Sequence, residues 1–209
     1  MQIELQNLGK RFNRQWIFRN LDYSFTAGNA YAIVGPNGSG KSTLLQVVAG
    51  AVEKSEGQIQ WIQNEKLLDT EAHYRQLSIA APYLELIEEL TLSEFLTFHH
   101  SFKPFIDGQT TGSIINYIGL QDAAHKQIRN FSSGMKQRVK LAQAIFTKTA
   151  VVMLDEPTSN LDIDGIALYN RLITDFCSQR LLIICSNDEA EIQMCKNRLA
   201  VNEYKIFQS

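Results

Sequence analysis

A glycine-rich octapeptide is the feature that most constrains how this chain can fold. Residues 35–42 read Gly-Pro-Asn-Gly-Ser-Gly-Lys-Ser and match the pattern GxxxxGK(S/T). The octapeptide follows a continuously apolar run at 30–34 and precedes a segment at 42–49 that is typical of a helix. A strand, a glycine-rich turn and a helix in this order predict a parallel sheet joined by crossover helices.

The same octapeptide predicts a phosphate-binding loop. Glycines allow consecutive backbone N–H groups to converge on phosphate oxygens, and the helix N-terminus adds roughly half a positive charge. We expect Lys41 to contact the β- and γ-phosphates and Ser42 to offer its hydroxyl to Mg²⁺. The alternative is a glycine-rich turn that binds nothing. The residues predicted to bind nucleotide here are Gly35, Pro36, Asn37, Gly38, Ser39, Gly40, Lys41, Ser42 and Thr43.

Two carboxylates follow a second apolar run. Residues 151–154 are Val-Val-Met-Leu, and Asp155 and Glu156 come directly after them. Because the carboxyl ends of parallel strands line the ligand crevice, we expect Asp155 to hold Mg²⁺ together with Ser42. Glu156 is expected to act on the water that attacks the γ-phosphate. The alternative is that the two carboxylates only cap the next helix.

Composition excludes several classes of protein. The 209 residues carry 20 Lys and Arg against 22 Asp and Glu, so no basic excess is available for nucleic-acid phosphates and no nucleic-acid partner is expected. No apolar run approaches the roughly 20 residues that span a bilayer, and no secretory signal is visible. The three cysteines lack CxxC spacing, which predicts a reducing, cytoplasmic location.

Hydrophobic patterns predict an α/β fold. Apolar and polar residues alternate at 2–8, 17–25 and 57–62, which is typical of a half-exposed antiparallel flank. The runs at 30–34, 151–154 and 181–185 are continuously apolar, which is typical of central strands of a mostly parallel sheet.

Apolar residues recur at helical spacing around 92–102 and 114–118, which predicts two short amphipathic helices between the predicted strands. We therefore predict a single domain over 1–209. Its core would comprise 1–82 and 131–209, with an inserted helical lobe at about 83–130.

Further motifs carry a family resemblance. Residues 131–138 read Phe-Ser-Ser-Gly-Met-Lys-Gln-Arg, upstream of Asp155 and Glu156, and residues 159–162 read Ser-Asn-Leu-Asp. With the phosphate loop, in this order and from Phe12 to the 180s, the chain resembles the ATP-binding subunit of an ABC transporter. The resemblance implies the P-loop NTPase fold of ABC ATPases, binding of ATP and Mg²⁺, ATP hydrolysis, and a separate transmembrane permease as partner.

The resemblance also implies roles for individual residues. Phe12 matches the aromatic residue that stacks on adenine, the alternative being a core aromatic at a strand end. Ser132, Ser133 and Gly134 match a variant of the LSGGQ signature, which in this family covers the γ-phosphate held by a second subunit. Asp162 matches the D-loop residue that faces the opposing site. The implied assembly is a head-to-tail homodimer, or paired cassette, that closes on ATP.

Two positions depart from the family pattern. Asn187 stands where members place a switch histidine, and a carboxamide donates hydrogen bonds but never becomes a cation. Asn187 as a helix N-cap is the alternative. Pro82 stands at the site of the Q-loop glutamine and offers neither a side-chain ligand nor an N–H. We therefore predict slow hydrolysis, and a docking surface for the permease at 83–90, the alternative being a solvated loop.

The sequence as a whole predicts an ATPase subunit, peripheral on the inner face of the cell membrane, that powers transport. Its signature variant resembles those of export-type subunits. The alternatives are a degenerate cassette that binds ATP with little turnover and a soluble ABC-type regulator. A regulator is disfavoured because the chain has one cassette, no sustained heptads and no basic patch. A kinase also transfers phosphoryl groups from a nucleotide held by a phosphate-binding loop. A kinase would, however, need a pocket for the acceptor substrate in place of the signature-like residues 132–134.

Overall fold

The computed structural model describes residues 1–205, and within this range the strands form two sheets. The predicted core segment 131–209 therefore extends at 206–209 outside the described residues. The first sheet is antiparallel and contains β1 (Gln2–Phe12), β2 (Gln15–Thr26), β4 (Glu56–Gln63) and β5 (Lys66–Leu67). Their order in the sheet is β2-β1-β4-β5. The predicted antiparallel flank is confirmed, with strands longer than the sequence patterns indicated.

The second sheet is entirely parallel in its described pairings. It contains β3 (Ala30–Val34), β6 (Leu77–Ala80), β7 (Val151–Asp155), β8 (Leu181–Cys185) and β9 (Asn197–Ala200). Their order is β6-β7-β8-β3-β9. Every residue of β7 and β8 is buried, as expected for strands covered on both faces. The predicted α/β class with a mostly parallel central sheet is confirmed.

Helices connect these strands. The α-helices are α1 (Lys41–Val48), α2 (Thr70–Arg75), α3 (Leu92–Phe102), α4 (Thr111–Tyr117), α5 (Ser133–Phe146), α6 (Ile163–Phe176) and α7 (Glu189–Ile192). Short 3₁₀ helices lie at Gln121–Ala123, Ile128–Asn130 and Val201–Tyr204. Among residues 1–205, no helix combines the length and the apolar character that crossing a bilayer requires.

The segment at 83–130 contains α3, α4 and two short 3₁₀ helices, and none of its described residues belongs to either sheet. Its first helix, α3, begins at a capping box in which Thr91 and Glu94 satisfy each other's backbone N–H groups. The predicted amphipathic helices are thus confirmed. The division of the domain into a core and an inserted lobe stays a prediction.

Two hydrophobic clusters lie on opposite faces of the parallel sheet. Successive residues of β7 alternate between them: Val152 packs with α5 and α6, and Met153 packs with α1 and the antiparallel sheet. A fully buried side chain of this size stabilises the fold by ~1.5–3 kcal/mol, so both clusters strongly fix the strands. As a result, the carboxyl ends of β7, β8 and β3 are held side by side at one edge of the sheet.

Candidate nucleotide-binding site

Three predicted functional segments meet at this edge. Strands β7, β8 and β3 are neighbours in the sheet. Asp155 ends β7, Asn187 follows β8, and the glycine-rich loop follows β3. Ligands of open parallel sheets bind outside the carboxyl ends of the strands. The sheet order therefore brings the phosphate loop, the two carboxylates and Asn187 together.

The conformation of the loop requires glycine at two positions. Gly40 has a φ of 106°, and a Cβ atom there would lie 2.4 Å from Cγ2 of Ile17 on β2. Gly35 has a φ of 147°, and a Cβ atom there would lie 2.7 Å from Oγ of Ser39. Helix α1 starts after Gly40 with no side-chain cap and no acidic residue in its first turn. Its first N–H groups are therefore available to an anion.

Lys41 lies inside the curve of this loop. Its side chain is buried, and its Nζ donates to the carbonyl of Gly35 at 2.7 Å and more weakly to that of Pro36 at 3.5 Å. The nearby Ser39 Oγ is buried without a hydrogen-bond partner among the described residues. The ammonium of Lys41 and the uncapped N-terminus of α1 are groups of the kind that bind phosphate oxygens, so the loop fits the predicted phosphate site.

Asp155 is suited to hold a divalent cation. It is 2% exposed, and its Oδ1 has no hydrogen-bond partner within residues 1–205. Burial raises the pKa of Asp155, and a hydrogen bond with Ser42 opposes this shift. A buried carboxylate oxygen without a partner is costly, whereas Mg²⁺ prefers oxygen ligands that include carboxylates. Asp155 and Ser42 therefore fit the predicted Mg²⁺ ligands.

Glu156 occupies a strained turn at the rim of the site. Its side chain is exposed, and its φ of 45° is unusual for a residue with a side chain, at a cost of ~1–3 kcal/mol. Its N–H donates to the carbonyl of Cys185 at 2.9 Å. The next helix, α6, is capped by Asp162, so the alternative that Asp155 and Glu156 cap it is wrong.

Asn187 contacts the phosphate loop directly. Its Oδ1 accepts a hydrogen bond from the N–H of Gly35 at 3.1 Å. The alternative assignment of Asn187 as a helix N-cap is wrong, because Asp188 caps α7 and accepts from the N–H of Ala190 at 2.9 Å. The side chain at the family's histidine position therefore lies at the site.

Phe12 ends β1, on the hairpin that β1 forms with β2. It is 49% exposed, so the alternative of a core aromatic is wrong. The Lys10 ammonium lies 4.6 Å from the centre of its ring. The other strand of this hairpin carries Ile17, which packs on Gly40 of the phosphate loop. The accessible ring thus belongs to a hairpin that contacts the loop, as base stacking requires.

The signature-like residues lie elsewhere on the surface. Ser132 caps α5 by accepting from the N–H of Met135 at 3.2 Å, and Ser132 and Ser133 are exposed. Ser133 lines a shallow depression of about 240 Å³ whose described lining includes no residue of the phosphate loop.

Asp162 is also engaged away from the loop. Its Oδ1 accepts from the N–H of Gly165 at 2.8 Å and forms an ion pair with Arg138 at 3.1 Å. The hydrogen bond from Gly165 is the main cause that lowers the pKa of Asp162, and Arg138 adds to it.

The sequence predicts Tyr83 only as part of the docking segment at 83–90, and not as a side chain near the nucleotide site. Pro82 lies exposed in a turn, and its carbonyl accepts from Nζ of Lys140 at 3.1 Å. Tyr83 is 43% exposed, and its partial burial raises its pKa to about 12; a hydrogen bond with Gln46 opposes the shift, and the charge of Asp155 adds to it. A tyrosine hydroxyl therefore lies near the edge of the site, in the segment where the family has its glutamine. No motif marks such a tyrosine.

The fold and this site define a nucleotide-binding domain of the P-loop class. A family model described as ABC transporter matches residues 18–159. The uncharacterised ABC transporter ATP-binding protein YybJ of Bacillus subtilis is 29% identical over 206 residues, which cover 98% of this chain and 94% of that protein. The lantibiotic transport ATP-binding protein SrtF of Streptococcus pyogenes is 30% identical, over 88% of this chain and 79% of that protein.

A solved structure has the same fold. A putative ABC transporter ATP-binding protein from Pyrococcus furiosus superposes with a TM-score of 0.82 at 20% identity, covering 99% of this chain and 100% of that one. The chain belongs to the ABC transporter family and is an ATP-binding subunit of a transporter. Members of this family are ATPases that bind ATP, generally with Mg²⁺, and work with transmembrane permease components.

Proposed function

We propose that this chain binds Mg-ATP at the edge formed by β3, β7 and β8, hydrolyses it, and powers export through a separate permease. The observation that carries the proposal is the meeting of three features at that edge. They are a phosphate loop around the buried Lys41, the partnerless oxygen of Asp155 and the exposed carboxylate of Glu156. The export direction depends on the resemblance of the signature variant to export-type subunits.

Each side chain has a distinct task in this proposal. Lys41 and the N-terminus of α1 hold the β- and γ-phosphates, and Asp155 and Ser42 hold Mg²⁺. The bound Mg²⁺ would neutralise phosphate charge. Glu156 accepts the proton of the attacking water. Asn187 donates its amide to the γ-phosphate without a positive charge, which makes turnover slow.

Hydrolysis in this proposal needs a second cassette. One chain presents a phosphate loop at the sheet edge and, in another place, the exposed start of α5 with Ser132, Ser133 and Gly134. The free N–H groups of α5 would meet the γ-phosphate held by a second copy, with Asp162 beside them. ATP shared between two positively charged surfaces stabilises the closed pair, so dimerisation follows nucleotide binding.

The permease would bind in an apolar groove of about 540 Å³ between the segment at 83–90 and α3. Its exposed apolar lining residues are Tyr74, Tyr83, Leu84, Ile87, Phe98 and Phe102. Exposed apolar surface of this kind marks an interaction site. The occupant is an amphipathic helix of the permease, with a basic residue toward Glu85, an exposed residue that lines the groove. This docking would place the chain on the cytoplasmic face of the membrane.

Phosphate release by wild type and by Glu156→Gln tests the proposed ATPase. We expect the wild type to release phosphate and the variant to release almost none, because no carboxylate accepts the proton of water. With Mg-ATP the variant should elute as a dimer. Glu71→Gln is the matched control, since it makes the same change at an exposed residue of α2. Equal inactivity of wild type and Glu156→Gln, with ATP still bound, would establish the degenerate cassette instead.

Nucleotide binding is tested separately with Lys41→Ala. A ligand at a hundred times its Kd stabilises a protein by ~2.7 kcal/mol, which is about 5–10 °C in Tm for a chain of this size. We expect this shift with Mg-ATP in the wild type and its loss in Lys41→Ala. Lys148→Ala, which removes an exposed lysine paired with Asp107, is the matched control and should keep the shift. If Mg-ATP raises the Tm of Lys41→Ala as much as that of the wild type, Lys41 does not bind the phosphates.

A further inference from the structure

We propose that Gln137 and Glu191 are positioning residues that fix the orientation of Glu156. The inference rests on the proposed ATPase function. Both act on one peptide group, between Pro157 and Thr158, which begins one residue after Glu156. The carbonyl of this peptide accepts from Nε2 of Gln137 at 2.7 Å, and its N–H donates to Oε1 of Glu191 at 2.7 Å.

The two clamping side chains come from different helices and are both buried. Gln137 lies on α5 and is 5% exposed, and Glu191 lies on α7 and is 4% exposed. The same Oε1 of Glu191 also accepts from the hydroxyl of Thr158 at 2.5 Å. Tyr169 donates to the backbone carbonyl of Glu191 at 2.7 Å and so holds α7 in place. The peptide plane is therefore fixed at both ends by buried groups.

A fixed peptide matters because the turn is strained. Glu156 and Asn160 have φ values of 45° and 65°, and such conformations persist only where the surroundings impose them. Because the ring of Pro157 fixes the link between this peptide and Glu156, a shift of the peptide would let Glu156 relax toward an ordinary φ and displace its carboxylate from the attacking water. The hydrogen bonds from Gln137 and to Glu191 prevent that shift.

The clamp formed by Gln137 and Glu191 also connects this turn to both sides of the proposed dimer. Gln137 follows the signature residues on α5, and a Cβ atom on Gly134 would lie 3.0 Å from the carbonyl oxygen of Asn160. The start of α5 therefore packs closely on the turn that begins at Glu156. Glu191 lies on α7, just after Asn187, which contacts the chain's own phosphate loop. A shift of either helix would thus reach Glu156 through one peptide.

The test compares kcat, KM and ATP affinity for Gln137→Leu, Glu191→Leu and Glu191→Gln with the wild type. We expect both leucine variants to lower kcat by about 10–100-fold, because small displacements of a reacting group cost that much. Their KM and their Kd for Mg-ATP should stay within about threefold, since no phosphate contact is lost. Glu191→Gln keeps an oxygen acceptor for Thr158 and should recover most of kcat.

Thr149→Val is the control for a loss of stability that does not affect catalysis. Thr149 is buried, and its hydroxyl is hydrogen-bonded to Ser78 at 2.9 Å, away from the turn. This variant should lower the Tm and leave kcat unchanged. If the leucine variants lower only the Tm, as Thr149→Val does, the positioning role is wrong. If Glu191→Leu does not fold, Gln137→Leu and Gln137→Glu, which both remove the donor to Pro157, decide the question.

Failure of the proposed ATPase function and failure of the positioning role give different results in these assays. A wild type that turns over no faster than Glu156→Gln overturns the ATPase proposal and, with it, the positioning role. A wild type that hydrolyses ATP, with Gln137→Leu and Glu191→Leu at the same kcat, overturns the positioning role alone.

Discussion

The side-chain oxygen of Asn187 accepts a hydrogen bond from the backbone N–H of Gly35, with 3.1 Å between the two atoms. The contact joins the segment after β8 to the first residue of the phosphate loop. It also leaves the amide NH₂ of Asn187 as a donor for the γ-phosphate. A neutral group thus stands at the position where a histidine would supply a charge, and the consequences for catalysis are measurable.

We expect Asn187→His to raise kcat about fivefold. An imidazolium forms a charge-assisted hydrogen bond to phosphate, which exceeds a neutral one by ~1 kcal/mol. Phosphate release measured between about pH 6 and pH 8 should fall with rising pH in the variant, because the imidazole loses its proton in this range. Asn187→Ala, which removes both donor and acceptor, is the control. A variant with histidine that is no faster than Asn187→Ala would contradict this role.

Phe12→Ala should raise the Kd for Mg-ATP about tenfold, because stacking of a base on an aromatic ring contributes ~1–3 kcal/mol. Every base has a π face, so the loss should be similar for ATP and GTP. Inorganic tripolyphosphate has no base, and its binding should be unaffected. Phe12→Trp keeps an aromatic ring and should bind ATP as the wild type does. An equal loss of tripolyphosphate affinity would indicate a disturbed phosphate loop instead.

Charge reversal at Glu85 should weaken assembly with the permease, because the groove would lose its attraction for a basic helix. The reversal of Glu88 is less informative, since Glu88 forms an ion pair with Lys136 at 2.5 Å and its loss would distort the segment. Phe98→Glu should abolish assembly by placing a charge in the apolar groove.

Co-purification with the permease is the measurement for this groove. Glu71→Lys, an equal charge reversal at an exposed site on α2, is the matched control and should assemble normally. The Tm of each isolated variant shows whether it folds. Normal assembly of both Glu85→Lys and Phe98→Glu would exclude the groove as the docking surface.

The local parts of the site could be predicted from the sequence, because their signals lie within a few residues. The apolar run of β3, the glycines of the loop and the start of α1 are contiguous, and the carboxylates follow β7 directly. The edge strand β9 was not predicted, because only one of its four residues is buried and its sequence therefore has no continuous apolar run. Short strands at a sheet edge lack the continuous apolar run that marks β7 and β8.

The contacts between distant segments could not be predicted. Asn187 and Gly35 are 152 positions apart, and their hydrogen bond depends on the order β7-β8-β3 in the sheet. The clamp on the peptide between Pro157 and Thr158 needs α5 and α7 on opposite sides of one turn. Neither Gln137 nor Glu191 has a local pattern that separates it from a surface residue.

His99 makes the stability of the fold depend on pH. It lies on α3, where its Nδ1 is 3.1 Å from the side-chain nitrogen of Gln143 and its Nε2 is 2.8 Å from the hydroxyl of Thr147. Thr147 donates its own proton to the carbonyl of Gln143, so its oxygen accepts from Nε2 and Nδ1 accepts from the amide. Protonation of Nδ1 would set two donors against each other. Burial, together with the charges of Lys103 and His100, lowers the pKa of His99 to about 4.

The folded chain therefore keeps His99 neutral while the unfolded chain takes up a proton near pH 6.5. Stability is fully present above that pH and falls as the pH decreases toward about 4, because the unfolded state binds more protons. Because His99 is partly exposed, solvent screens this contribution. We therefore expect the free energy of unfolding to fall by about 1 kcal/mol between about pH 7 and pH 5. Urea unfolding of wild type and His99→Gln at these two values measures it. His99→Gln should lose less stability on acidification, and His125→Gln, at an exposed histidine, should behave as the wild type does. Equal losses in wild type and His99→Gln would show that His99 does not titrate in this range.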